Sequence, residues 1–401
     1  MERREYKNVI CNLKDTKKVI SKGLNFFYCG KRDSNKELKG EKMKKNRQRV
    51  VYIDKEHLKK YNIIDQVFYY EDLELSVESR EAYKNFEKQF IESYSISADV
   101  YNINEFSFYM KDSYQCNAFA IQKRGYNIIG ITNVYPILLS KKFNSKYFEK
   151  FIFMGLMNKE NIGLAYIDLI NKEKFNLSKF MLDCSIKFTF GHEFRHILQF
   201  NSAEIRKESY YLQENLMENA FDIQKHTWEF DADRSGCYAV LKFVFRTDTE
   251  LNKRSPDKFK CLLYAGCASM IITKCLFYFG VMHQEEHKMT VKKIDFYTKK
   301  YSHPHPLVRC ANILDYYFSN IEDDFPNLDI EYQEFFNNVF GILKIYFDSL
   351  MGSNNIINEI FNDFKKYNGE VTAYNNELYD LAIQDEAIRN LLISSNTSFE
   401  D

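Results

Sequence analysis

The segment His192-Glu193-Phe194-Arg195-His196 constrains this chain more than any other. Leu182, Ile186, Phe190, Phe194 and Leu198 recur at every fourth position through it, which predicts one long helix. On that helix His192 and His196 rise from one face, about 5 to 6 Å apart at Cβ, close enough to share a metal ion. Glu193 projects beside the ion, where a carboxylate can take a proton from an activated water and pass it to a leaving amine. Two ordinary helix-surface histidines are the bland alternative.

A third ligand has to come from elsewhere, and Trp228-Glu229-Phe230-Asp231-Ala232-Asp233-Arg234 offers two carboxylates four apart on a second predicted helix. Glu229 is the expected ligand. Asp233 is expected to accept the free ring N–H of His192, which fixes the tautomer of a ligating histidine. An acidic helix face is the alternative, and Glu218 with Asp222 repeats the same spacing. Ala232 and Gly236 favour the later pair, because small residues let one helix pack closely on another. The inverted order His283-Gln284-Glu285-Glu286-His287 is a weaker rival, at the end of a long apolar run.

Among 401 residues, 45% apolar and 16% aromatic, there is ample material for a sizeable core. Lys plus Arg equals Asp plus Glu at 56 each, so the overall charge speaks against nucleic acid or an anionic membrane as the main partner. Lys31 to Arg49 is locally basic, but no aromatic residue interleaves its charges, and it reads as a solvated loop. The nine cysteines are scattered, with no C-x-x-C, which suggests reduced thiols and a cytoplasmic chain. Cys261 to Met282 is long enough to cross a bilayer, with Lys274 as its only charge; a buried core helix is the favoured reading and a membrane-anchored protein the alternative.

Residues 1–100 carry no assignable chemistry. Tyr126 to Thr132, preceded by the turn-prone Lys123-Arg124-Gly125, predict a hairpin or small antiparallel sheet. From about residue 180 onward helical spacing dominates. The expected organisation is therefore an N-terminal region 1–100, a central domain 101–320 and a helical region 321–401.

Four pieces, in order, resemble the HtpX-like and CaaX-prenyl-protease-like gluzincin metallopeptidases. They are Asn117-Ala118-Phe119-Ala120 with the strand and Ile137-Leu138-Leu139 that follow, His192 to His196, Glu229 to Arg234, and Ser302-His303-Pro304-His305-Pro306-Leu307-Val308-Arg309. The resemblance covers about residues 115–315 and implies an α+β, mainly helical fold with a small antiparallel sheet beside the HExxH helix. It implies one zinc ion per chain on His192, His196 and Glu229, Glu193 as general base, Asp233 supporting a ligand, and His303 stabilising the oxyanion. Asn117, Ala118 and Phe119 would form a substrate-binding edge, and the substrate would be a protein or peptide. Phe194, Arg195 and His305 depart from the family pattern, as does the lack of multiple membrane spans. A similarity to Lit-type phage-exclusion peptidases implies a bacterial defence or toxin role. A non-catalytic protein with a structural zinc site is the rival from another class.

Overall fold

A computed structural model describes residues 50–101, 103–144, 148, 152–157, 162–203, 209–213, 220–278, 294–351 and 356–394. The basic stretch 31–49, the inverted motif 283–287 and Glu218 lie outside these residues.

The described residues open with strand β1 (Val51–Tyr52), helix α1 (Lys55–Lys60) and helix α2 (Val77–Val100). Tyr83, Phe86, Phe90, Tyr94 and Ala98 recur every three or four residues along α2 and are all buried, so the sequence spacing alone supplies its packing face. Strands β2 (Glu105–Lys111), β3 (Ala118–Lys123) and β4 (Tyr126–Thr132) follow, then helices α3 (Val134–Lys142), α4 (Phe153–Met157) and α5 (Gly163–Asn171). Arg124 and Gly125 both take positive φ, 51° and 85°, as a two-residue hairpin turn between β3 and β4 requires. Helix α6 (Leu177–Ser202) carries His192 to His196, and after strand β5 (Ser209–Gln213) helix α7 (Ile223–Thr249) carries Glu229 and Asp233. Helices α8 (Pro256–Tyr278), α9 (Pro306–Asp324), α10 (Tyr332–Met351), α11 (Ile356–Gln384) and α12 (Glu386–Ser394) follow among the described residues.

The molecule is mainly helical, and its sheet is mixed where an antiparallel one was expected. The strand order is β1-β2-β4-β3-β5, with β1, β2 and β4 parallel and β3 antiparallel to both of its neighbours. The loop between Lys111 and Ala118 carries the chain past one strand position, and β4 then returns into the gap beside β2. That insertion makes β4 run parallel to β2.

A second correction concerns the expected substrate edge. Strand β5 pairs with β3 from Phe119↔Gln213 to Lys123↔Ser209, so β3 is an interior strand over that length. The Phe119 ring turns away from solvent and lies over Gly130 and beside Tyr109. Ile137 to Leu139 belong to α3, outside the hairpin.

Among the described residues the larger of two hydrophobic cores runs from Tyr70 to Leu391 and spans residues 100 and 320, and a smaller one gathers Leu58, Ile63, Ile64, Tyr109, Phe119 and Ile128. The apolar run from Cys261 lies largely in α8, the one described helix long and apolar enough to cross a membrane, and 94% of its most apolar window is buried within the protein. Both faces of α6 are covered, since Ile186, Phe190, Phe194 and Leu198 are as buried as the two histidines.

Helices α6 and α7 approach to backbone contact. A Cβ placed on Gly236 would come within 2.8 Å of the Phe188 carbonyl oxygen, and one on Gly191 within 3.1 Å of Gly236 Cα. Gly191→Ala and Gly236→Ala are each expected to destabilise the fold by about 1–3 kcal/mol through overpacking, read as a lower urea midpoint at unchanged slope.

Candidate metal centre

Each ligand-bearing helix is capped by its own sequence. Asn176 accepts a bond from Lys179 N at the start of α6, and Asp222 accepts from Gln224 N and Lys225 N at the start of α7. Asp222, the rival carboxylate of the earlier E-x-x-x-D, is thus an N-cap. With the glycine contact setting the interhelix distance, His192 and His196 from α6 meet Glu229 from α7 in one buried group.

The separations fit a shared ion. His192 Nε2 and His196 Nε2 are 3.1 Å apart, and each lies 3.3 Å from a Glu229 carboxylate oxygen. Tetrahedral ligands at zinc distances of about 2.0–2.1 Å would be about 3.3 Å apart.

Polar partners behind the rings fix how they are turned. His196 Nδ1 is hydrogen-bonded to Gln199 Oε1 at 2.8 Å, and His192 Nδ1 stands 3.2 Å from Asp233 Oδ1 as an ion-pair contact. Carboxylate and amide oxygens only accept, so both Nδ1 atoms carry hydrogen and both Nε2 atoms turn bare lone pairs inward. Three acceptors converge there, and a positive charge, a proton or a metal ion, has to lie among them. Burial pulls His192 down, but the Glu229 and Asp233 carboxylates outweigh it and hold the ring above its ordinary range. Burial holds His196 below its own.

The surrounding charges leave a deficit that suits a dication. Arg309 clasps Asp233 through two bonds of 2.7 and 2.8 Å, and Arg195 clasps Asp231 through two of 2.6 and 3.0 Å. Lys274 Nζ lies 3.8 Å from Asp233 Oδ1, and burial drives the amine toward its uncharged form. Glu229 is left as the ionised carboxylate, with Glu193 beside it. Burial works against ionising Glu229, but Arg309, with a nitrogen 3.2 Å away, together with His303 and His192, holds its carboxyl well below the usual range. Burial instead pushes Glu193 up to about 8, and neither of its oxygens has a hydrogen bond among the described residues.

The two histidines of the His-Pro-His segment part company. His303 reaches the centre, its Nε2 3.4 Å from Glu229 Oε1 and its Nδ1 3.1 Å from Ser302 Oγ. His305 caps helix α9, accepting from Leu307 N with Nδ1, and packs edge-on against Tyr278, Phe296 and Tyr297. His226 also belongs to the scaffold: its Nε2 donates to Tyr301 O, and its Nδ1 accepts from Tyr374 of α11. That leaves the ring neutral, with burial lowering its pKa to about 4.

Asn117, Ala118 and Phe119 are all buried, and the ladder to β5 begins at Phe119 and stops short of the other two. Gln199, Asp231 and the ion-pairing role of Arg195 are absent from the expectations drawn on the sequence. A signal for them exists: a polar residue three after His196 shares its helix face, and an arginine inside a buried motif needs an acid. No family model matches the chain, and no curated protein or solved structure matches it.

A single divalent ion per chain is expected from metal analysis of purified protein. Glu229→Gln removes a ligand and should weaken metal binding severely, and Asp233→Asn should weaken it by about 10- to 100-fold. Asp222→Asn, which keeps a good N-cap, and Glu218→Gln should bind metal almost as wild type in the same titration. The opposite ranking would remove Glu229 from the site.

Proposed function

We propose that the chain is a zinc-dependent endopeptidase. The observation that carries the reading is the placement of Glu193, a buried carboxylate with no hydrogen bond among the described residues, next to three convergent ligand atoms. A site that only staples the fold closes its coordination with protein groups, whereas hydrolytic sites keep three ligands and an open position. His192, His196 and Glu229 would hold the ion. Bound zinc would lower the pKa of a water toward about 7 and polarise the scissile carbonyl.

Every other step belongs to the chain. Glu193 takes the proton as the water oxygen bonds to the carbonyl carbon, then gives it to the amide nitrogen as the C–N bond breaks, so charge and atoms balance. His303, whose Nδ1 lies against Ser302, would turn Nε2–H toward the carbonyl oxygen as negative charge builds there. Asp233 and Arg309 hold His192 and Glu229 in place throughout. A protein substrate would approach near Ala118, the one residue of β3 that β5 does not pair.

The test is cleavage of unfolded casein by zinc-loaded protein. Glu193→Gln is expected to keep the metal and the fold and to lose hydrolysis, since the amide keeps the shape and lacks the base. Retained cleavage in that variant, or none by the wild type at full zinc occupancy, overturns the reading. His303→Phe should slow turnover by roughly 100-fold at unchanged zinc content, because one oxyanion donor supplies about 3 kcal/mol. A zinc site that loses its metal in His303→Phe would instead make His303 a fourth ligand and the site a structural one. His305→Phe is expected to cost stability, as the loss of an N-cap does.

A further inference from the structure

The two histidines are oriented by chemically different arms. His192 faces a carboxylate, Asp233, whereas His196 faces a neutral amide, Gln199. An amide can present either its oxygen or its nitrogen, and the choice decides which tautomer the ring adopts. With the oxygen toward Nδ1, the proton sits on Nδ1 and Nε2 is free to ligate. With the nitrogen toward Nδ1, that atom must accept, the proton moves to Nε2, and the ligand position is blocked.

The surroundings of the amide settle the choice. Gln199 Nε2 donates to Trp228 O at 3.1 Å and to Asp231 Oδ2 at 2.8 Å, and neither group has a hydrogen to give. Asp231 is itself held by the paired bonds from Arg195. Flipping the amide would set its oxygen against two acceptors in a fully buried position.

We infer that Gln199 is a positioning residue for the metal, and that Asp231 with Arg195 locks its amide so that His196 is kept in the tautomer that binds through Nε2. The inference rests on metal binding by His192, His196 and Glu229, and it is independent of hydrolysis. It also gives Arg195, at the centre of the HExxH motif, a task that a small residue cannot perform. Lying on α6, it reaches the α7 carboxylate Asp231, which holds the amide of Gln199 back on α6.

The test is nitrogen NMR of metal-free protein labelled with 15N-histidine, together with zinc titration. In the wild type the His196 proton is expected on Nδ1. Gln199→Met keeps the volume and removes the acceptor; it should lose that preference and bind zinc about 10- to 100-fold more weakly. The double change Arg195→Met with Asp231→Leu removes the ion pair as a unit and should shift the tautomer in the same direction as Gln199→Met. The inference is overturned if the wild-type proton lies on Nε2, a result that needs no variant to fold. It is also overturned if Gln199→Met leaves the tautomer unchanged, whatever its zinc affinity, which would mark a packing role only. Retained tautomers with no casein cleavage would count against the hydrolase reading alone.

Discussion

The backbone contact between α6 and α7 at Gly191 and Gly236 is the constraint on which the site depends. Two ligands come from one helix and one from the other, and His and Glu side chains are short. Their donor atoms meet at 3.1 to 3.3 Å where each helix places a glycine at the crossing, with Phe188 and Ala239 packed against the bare Cα atoms. Gly191 lies next to His192, so the same residue that permits the approach delivers the first ligand into it. Spreading these helices by the width of a methyl group would spoil ligand spacing before it spoiled the core.

Closeness creates an electrostatic difficulty, because the site concentrates carboxylates where water is scarce. Leaving one member of a buried ion pair alone costs about 3–5 kcal/mol, while a complete pair roughly breaks even. The chain contains the charge in two self-neutral clasps, Arg309 with Asp233 and Arg195 with Asp231, one behind each histidine. Between them Glu229 is held ionised by Arg309 at 3.2 Å, and burial pushes Glu193 toward its protonated form. Stability is spent there, and chemical capacity is what the arrangement leaves behind, as perturbed groups at functional sites commonly show.

The outer helices serve this centre by holding the loop that bears His303. His305 starts α9 as its cap, with Pro306 in the first turn, where its missing N–H costs nothing. His226 ties the same loop to α7 and, through Tyr374, to α11. Trp228 Nε1 donates to Asp385 just before α12, so the C-terminal helices pack onto the ligand helix itself. Residues beyond 320 are therefore part of the site's support, which their amphipathic pattern alone does not reveal.

Local rules make the helices legible. The i, i+4 ladder through the HExxH segment, the turn at Arg124-Gly125 and the small residues of α7 are features whose physics acts over a few residues; they bring forward His192 and His196, and the small residues after Glu229 favour it over Glu218, which has the same spacing. The direction of β4, the covering of β3 by β5, and the bonding of Gln199, Asp231 and Arg309 depend on partners distant along the chain. Spacing carries no record of which strand fills a gap in a sheet. It also does not say which buried acid an arginine will find. Residue type and spacing thus establish which side chains have the chemistry to bind a metal and activate water. Their convergence on one point is set by the packing of α6 on α7, because hydrogen-bond direction and charge pairing are properties of packed helices and not of helix period.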